Sequence, residues 1–239
     1  MADSTPVDRL ALGPHGRDLA GTALALAAGF AQGATLWCTA PAWPAHAHHV
    51  AVEFVHPVVV GARALPAVAL DGQQLLHDLR VQSTPGDVLL AVAPGHQPDV
   101  TAAMRRAPAF GLSTVWIGAG VPPPPGTADH VLFVDGDDTA AFDGRLVLLY
   151  HVLWELTHVC FEHPGLLRPV DGPGPTCITC GDEGRLAEVV SVAANHTAVL
   201  RSARGQEQAD VALVAEARPG DLVLVHGGCV VTVVEAGSR

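Results

Sequence analysis

The chain has 239 residues, of which 49% are hydrophobic and only 15% are charged. That length suits one medium and one small domain, and the apolar content supplies a buried core and excludes a disordered chain. The formal net charge is −11, and the 13 Lys and Arg residues are scattered along the sequence. Because counterion release requires clustered basic side chains, nucleic acid and anionic lipid are excluded as partners.

The N-terminal sequence, MADSTPVDRLALGPHGR, has no basic region leading into an apolar stretch, so it does not resemble a secretory signal. The apolar run at 19–30 is too short to span a bilayer. We therefore expect a cytoplasmic protein that does not enter a membrane. In that compartment the five cysteines are expected to be thiols or metal ligands and not disulfides.

Helical and strand patterns alternate along the first 165 residues. Ala/Leu-rich and amphipathic segments predict helices at 17–32, 47–56, 100–111 and 139–162. Short apolar runs predict strands at 34–40, 65–70, 86–94, 113–120 and 129–136. Such runs, ended by Gly or Pro, are typical of parallel strands buried on both faces. The alternation predicts an α/β three-layer sandwich with a parallel sheet.

A segment rich in Pro and Gly predicts a linker at 166–176. After it the pattern changes to short strands alone, at 185–193, 196–203, 207–216 and 221–236. Several short strands separated by turns within about 60 residues predict a small all-β, OB-like barrel. The predicted domains are therefore 1–165 and 177–239.

Cysteine and histidine occur at both ends of the predicted barrel. Cys177 and Cys180 open it, and His226 and Cys229 close it. If the first and last strands pair, these side chains converge. Thiolate and imidazole suit iron or zinc, and the four residues together can form a structural zinc site. In the alternative interpretation, Cys229 is a core residue and His226 is a hydrogen-bonded strand residue.

Three motifs stand out in the barrel sequence: CITCGDEGRLAEVV at 177–190, DVALV at 210–214 and PGDLVLVH at 219–226. Through them the barrel resembles the HypC/HupF family of hydrogenase maturation chaperones. The resemblance implies that Cys177 and His226 hold iron as an Fe(CN)2CO moiety on its way to a [NiFe] site. It also implies a hydrogenase large subunit and a HypD-like maturation protein as partners. Such a carrier is a binding module and not an enzyme.

Ionisable side chains recur at helical spacing in the first domain. His49 and Glu53 are four residues apart, and Asp143 and His151 are eight apart, so each pair lies on one face of its helix. On facing helices the four can form a cage for zinc or another divalent ion. In the alternative interpretation, Glu53 and Asp143 are solvated surface charges and the histidines are incidental.

Three motifs stand out in the first domain: HHVAVEFV at 48–55, GDVLLAVAPGHQPDV at 86–100 and YHVLWELTH at 150–158. Through them the domain resembles the sugar isomerase (SIS) domains, and among them the phosphoheptose isomerases. The resemblance implies that Glu53 and His151 form the acid/base pair of an isomerase. His49 and Asp143 fall on the further metal-ligand positions. It also implies a homo-oligomer, such as a dimer, formed through this domain.

The loops that bind phosphate in that family differ here. They read CTAPAWPA at 38–45 and APGHQ at 93–97, where the family has Gly-, Ser- and Thr-rich loops. Proline offers no N–H, and the second loop has no hydroxyl, so a phosphate dianion would be poorly satisfied. The loops therefore argue against ordinary phosphosugar isomerisation.

Three functions are compatible with these patterns. The first is a [NiFe]-hydrogenase maturation factor whose barrel carries iron and whose SIS-like domain binds a metal or small ligand. The alternative is a metal-dependent sugar or sugar-phosphate isomerase or lyase that uses Glu53 and His151. The third is a structural zinc protein that uses the barrel cysteines and His226.

Overall fold

The computed structural model describes residues 16–58, 61–136, 144–167, 184–193, 196–214 and 216–237. Three residues with predicted metal-binding roles, Asp143, Cys177 and Cys180, lie outside the described residues, as does most of the predicted linker. The domain boundaries proposed from the sequence stay predictions. In the described ranges, no helix has the length and apolarity needed to cross a bilayer.

The first part of the chain forms a five-stranded, fully parallel sheet in the order β2-β1-β3-β4-β5. Its strands are β1 (Leu36–Thr39), β2 (Ala67–Leu70), β3 (Val88–Val92), β4 (Ser113–Ala119) and β5 (His130–Val134). The helices are α1 (Gly16–Ala31), α2 (Pro44–Val55), α3 (Leu75–Gln82), α4 (Pro98–Arg106) and α5 (Arg145–Glu162). A 3-10 turn at Ala107–Phe110 follows α4. The predicted parallel sheet with helices is confirmed.

Both faces of this sheet are covered, because alternate side chains of the central strand enter different apolar clusters. Val88, Leu90 and Val92 of β3 pack in one cluster with residues of α1, α2 and α5. Leu89 and Ala91 pack in the other with residues of α3, α4 and the 3-10 turn. A continuous apolar strand is the pattern that such two-sided burial requires.

The remaining strands close into a five-stranded barrel in the order β10-β8-β7-β6-β9. They are β6 (Arg185–Val192), β7 (Thr197–Ser202), β8 (Gly205–Asp210), β9 (Leu222–His226) and β10 (Cys229–Glu235). The expectation that the first and last strands pair is wrong. β6 pairs with β7 and β9, whereas β10 pairs with β9 and β8.

A buried ion-pair network joins the barrel to the α/β part. Arg106 of α4 is 1% exposed, and it donates to the carbonyl of Gly220 at 2.7 Å and to the Glu235 carboxylate at 3.2 Å. Arg80 of α3 donates through Nε and Nη2 to both carboxylate oxygens of Glu188 on β6. Since Glu188 also lies 3.6 Å from Arg106, the carboxylates compensate the charge of the buried guanidinium.

We expect Arg106→Ala to lower the free energy of unfolding by about 3–5 kcal/mol, because it removes a buried guanidinium that satisfies the carbonyl of Gly220 and pairs with Glu235. Chemical denaturation measures this change. The matched control is Arg105→Ala, since Arg105 is exposed on the same helix and its loss should change the stability by less than about 0.5 kcal/mol. Equal effects of the two substitutions would contradict the role assigned to the network.

Candidate metal and acid/base site

Three of the four residues predicted to form a cage in the first domain lie together. His49 and Glu53 project from α2, and His151 projects from α5. Nε2 of His49 lies 3.2 Å from Oε1 of Glu53 and 3.2 Å from Nε2 of His151. The same Glu53 oxygen lies 3.5 Å from Nε2 of His151. One atom from each residue therefore forms a nearly equilateral triangle.

The size of this triangle fits a small divalent cation. A tetrahedral ion with bonds of about 2.1 Å holds its ligand atoms about 3.4 Å apart, close to the three distances observed. Two imidazoles and one carboxylate are also a donor set that zinc uses in catalytic sites, where a fourth position stays open for water or substrate. Among the described residues, His49, Glu53 and His151 form the one group of three with this capacity.

The triangle forms because α2 and α5 each have polar side chains beside the face that is buried in the core. α2 begins at Pro44, whose fixed φ suits the first turn of a helix. Its residues Val50 and Phe54 are buried, which turns His49 and Glu53 towards α5. The Glu53 side chain is 17% exposed and that of His151 is 42% exposed, so solvent can reach the site.

A buried hydrogen-bonded chain continues from the triangle into the protein. The Tyr150 hydroxyl lies 2.8 Å from Nδ1 of His49 and 3.3 Å from Nδ1 of His46. Tyr150 is 1% exposed and His46 is also buried. Burial, and secondarily the Glu53 charge, raises the pKa of Tyr150, so its hydroxyl stays protonated. When Nε2 of His49 faces a cation, Nδ1 donates to Tyr150, whose O–H donates to His46.

Sequence reasoning missed Tyr150 and His46. The signal for His46 was its position one helical turn before His49, and the signal for Tyr150 was its place directly before His151 in a buried helix. Neither signal distinguishes a hydrogen-bonded relay from ordinary packing. The hydrogen-bonded relay is recognised only from the contacts that Tyr150 of α5 makes with His49 and His46 of α2.

A cavity of about 850 Å³ opens beside the triangle and includes Glu53 and His151 in its wall. Trp154 and Phe161 of α5 supply aromatic surface, and Arg63 supplies a guanidinium. A volume of this size accommodates a small organic molecule, and walls of apolar and aromatic groups with a few polar groups are typical of ligand sites.

Among the described residues, no cysteine belongs to a group of three side chains that could hold a metal ion. Cys229 pairs with His226 across the hairpin that joins β9 to β10, and the turn between them needs Gly227 and Gly228, whose φ angles are 60° and 75°. Cys177 and Cys180, the other predicted ligands, lie outside the described residues. Burial raises the pKa of Cys38 and of Cys160, which keeps both thiols protonated.

The PGDLVLVH motif has a structural role in the barrel. The Asp221 carboxylate accepts hydrogen bonds of 2.8 Å from the N–H groups of Arg218 and Gly237, and Asp221 is 5% exposed. It thus ties the turn before β9 to the end of β10. The following Leu222, Val223 and Val225 are buried. A barrel corner accounts for this motif without a metal.

The α/β part of the chain is similar to phosphoheptose isomerases in sequence and in fold. No protein-family model matches the chain. A phosphoheptose isomerase from Nitratidesulfovibrio vulgaris (strain DSM 19637 / Miyazaki F) is 29% identical over 150 residues, which cover 55% of this chain and 72% of the relative.

Solved structures show the same fold. A phosphoheptose isomerase from Francisella tularensis matches with a TM-score of 0.54 and 16% identity, over 60% of this chain and 86% of that one. Another, from Neisseria gonorrhoeae, matches with a TM-score of 0.50 and 18% identity, over 59% and 85%. The predicted SIS-like domain is therefore supported.

The prediction of a [NiFe]-hydrogenase maturation factor is wrong. The relative and the structures that the chain resembles are phosphoheptose isomerases, and the PGDLVLVH motif is explained by the turn that Asp221 holds. The Fe(CN)2CO cofactor assigned to Cys177 and His226 is wrong for the same reason. So are the hydrogenase large subunit and the HypD-like protein as partners.

We expect Tyr150→Phe to weaken Zn²⁺ binding by about 10–100-fold, because loss of a hydrogen bond that orients a ligating imidazole has effects of that size. Competition with a chromophoric chelator measures the Kd. The matched control is His48→Ala, because His48 is exposed on the same helix as His49. An unchanged Kd in Tyr150→Phe, with circular dichroism showing a folded protein, would contradict the relay.

Proposed function

We propose that the chain is a metal-dependent isomerase that interconverts the aldose and ketose forms of a sugar or sugar phosphate. The observation that carries the proposal is the triangle of His49, Glu53 and His151 with edges of 3.2, 3.2 and 3.5 Å. The likeness to phosphoheptose isomerases supports a sugar-type substrate. The cavity beside the triangle supplies the space for it.

Aldose–ketose isomerisation requires a proton to move between two neighbouring carbon atoms. Glu53 is the base in this proposal: its carboxylate removes the proton from the carbon that carries the hydroxyl. The electron pair of that C–H bond forms a C=C bond, and the carbonyl π electrons move to oxygen to give an enediolate. Glu53 then returns the proton to the former carbonyl carbon, which completes the ketose.

The second requirement is control of charge on the two substrate oxygens. Protonated His151 donates the Nε2 proton to the former carbonyl oxygen and recovers a proton from the neighbouring hydroxyl, so the exchange is balanced. His49, Glu53 and His151 are the residues that would hold a divalent cation. With an ion bound, Nε2 of His151 would be a ligand and would carry no proton. The ion would supply Lewis-acid stabilisation of the same oxygens, and the hydroxyl proton would pass directly to the neighbouring oxygen.

His49 has a positioning role in this scheme. Its Nε2 contacts Glu53 Oε1 at 3.2 Å, and its Nδ1 contacts the buried Tyr150 hydroxyl. The imidazole is therefore oriented at Nδ1 by Tyr150, and its Nε2 and Oε1 of Glu53 would share a bound cation, which would fix that oxygen of Glu53. The other oxygen, Oε2, is left to act as the base.

We expect Glu53→Gln to lower kcat by about 10²–10⁴-fold, the range typical for loss of a general base. A panel of aldoses and aldose phosphates, assayed by ketose formation with Zn²⁺-loaded protein, measures this change. The control is Glu216→Gln, since Glu216 is an exposed carboxylate in the barrel region and should not affect turnover. Full activity of Glu53→Gln would exclude the proposed mechanism.

Removal of the metal gives a second test. Dialysis against a chelator should lower turnover by more than about tenfold, because Lewis-acid stabilisation of the enediolate is worth several kcal/mol. Added Zn²⁺ or Mn²⁺ should restore turnover in the wild-type chain but not in His49→Ala. Turnover that is indifferent to chelation would show that the acid/base pair works without a cation and would contradict metal dependence.

A further inference from the structure

The loop after β3 leaves no open space at the position where it approaches the loop after β4. A Cβ added to Gly95 would lie 2.2 Å from the carbonyl oxygen of Val121 and 2.8 Å from the backbone of the next two residues. Only a glycine permits this approach, and polypeptide at 121–123 covers it. Gly95 is also buried, so an anion cannot reach its backbone from that side.

The first turn of α4 is poorly equipped to bind phosphate. Gln97 precedes the helix and its N–H already donates to a carbonyl in the loop at 3.1 Å. Pro98 occupies the first turn and has no N–H, and the N–H of Thr101 donates to Gln97. Asp99 adds a negative charge to the same turn. A helix N-terminus attracts anions, but this carboxylate opposes a phosphate group.

The loop after β1 has similar features. The N–H of Trp43 donates to Ala40 and that of His46 donates to Trp43, both at 2.9 Å. Pro44 begins α2 without an N–H. The hydroxyl-bearing residue of this loop, Thr39, is 0% exposed. The two loops therefore lack the exposed Ser and Thr hydroxyls that would bind a phosphate dianion, and Pro44 and Pro98 each remove one N–H from the first turn of a helix.

The cavity beside the triangle has an acidic wall. Glu53, Glu155 and Glu162 contribute three carboxylates, whereas Arg63 contributes one guanidinium. That guanidinium lies 5.6 Å from the centre of the Phe161 ring, a stable position for a cation over an aromatic face. A bound divalent ion would be held by Glu53. The part of the cavity beyond the triangle would still carry more negative than positive charge and would repel the phosphate dianion of a sugar phosphate.

We propose that the substrate is a sugar that carries no phosphate group, with its reacting carbons at the triangle and its hydroxyl-bearing chain in the cavity of Trp154 and Phe161. This inference rests on the proposed isomerase function and specifies its substrate class. Hydroxyl groups bring no charge into the acidic wall, and the aromatic side chains give the carbon chain an apolar surface.

The test compares each sugar with its own terminal phosphate ester, using the full Zn²⁺-loaded chain. Suitable pairs are ribose and ribose 5-phosphate, glucose and glucose 6-phosphate, and sedoheptulose and its 7-phosphate. We expect kcat/KM to be at least about tenfold higher for the unphosphorylated member of a pair that is turned over, because the cavity disfavours the dianion. A preference for the phosphorylated member would overturn this inference and leave the isomerase function standing. No turnover of either member of any pair would overturn both.

A double variant, Glu155→Gln with Glu162→Gln, tests the electrostatic basis. Removal of two carboxylates should raise kcat/KM for the phosphorylated member by about 3–10-fold relative to its partner. Glu216→Gln, remote from the cavity, is the matched control and should leave the ratio unchanged. An unchanged ratio in the double variant would overturn the claim that the acidic wall selects against phosphate.

Discussion

Helices α2 and α5 pack on the same face of the parallel sheet, and the contact between their polar edges creates the triangle of donor atoms. Phe54 of α2 and Leu153 of α5 are buried in one apolar cluster, and burial of each such side chain contributes about 1.5–3 kcal/mol. Rotation of either helix would expose these residues to water. The apolar packing therefore fixes the position of Glu53 relative to His151, which lies on the other helix.

The buried hydroxyl of Tyr150 extends this constraint from the backbone to the side chains. It contacts one nitrogen of His49 and one of His46, so the ring of His49 cannot turn without breaking a hydrogen bond in a region of low dielectric. Such a break would leave a buried polar group unsatisfied. A site that binds a cation needs this order before the ion arrives, because fixed ligands lose little freedom on binding.

Part of this arrangement could be predicted from the sequence. The i, i+4 spacing of His49 and Glu53 places both on one face of a helix, and the apolar runs predict the parallel sheet. The facing of α2 and α5 is a tertiary property, and it entered only through a resemblance to known isomerases. α3 was not predicted, because LLHDLRVQ is short and mixed in character and buries only Leu75 and Leu79.

The barrel motif illustrates why a short resemblance can mislead. In PGDLVLVH, the proline and glycine make a turn, and the alternation that follows makes a half-buried strand. The Asp221 carboxylate satisfies the N–H groups of Arg218 and Gly237. Any barrel with this corner has a physical reason for the same letters, whatever it binds. In contrast, the two imidazoles and the carboxylate of the triangle have no comparable structural need to meet.

The barrel lies on the opposite side of the sheet from the triangle. α3 and α4, with 8 and 9 residues, are much shorter than the 16 and 18 residues of α1 and α5. Leu222 of the barrel completes the apolar cluster on the face of α3 and α4, and Arg106 ties the two parts together. The strand β3 contributes side chains to both faces. The same strand therefore packs against the cluster that Leu222 completes and against the cluster that contains α2 and α5.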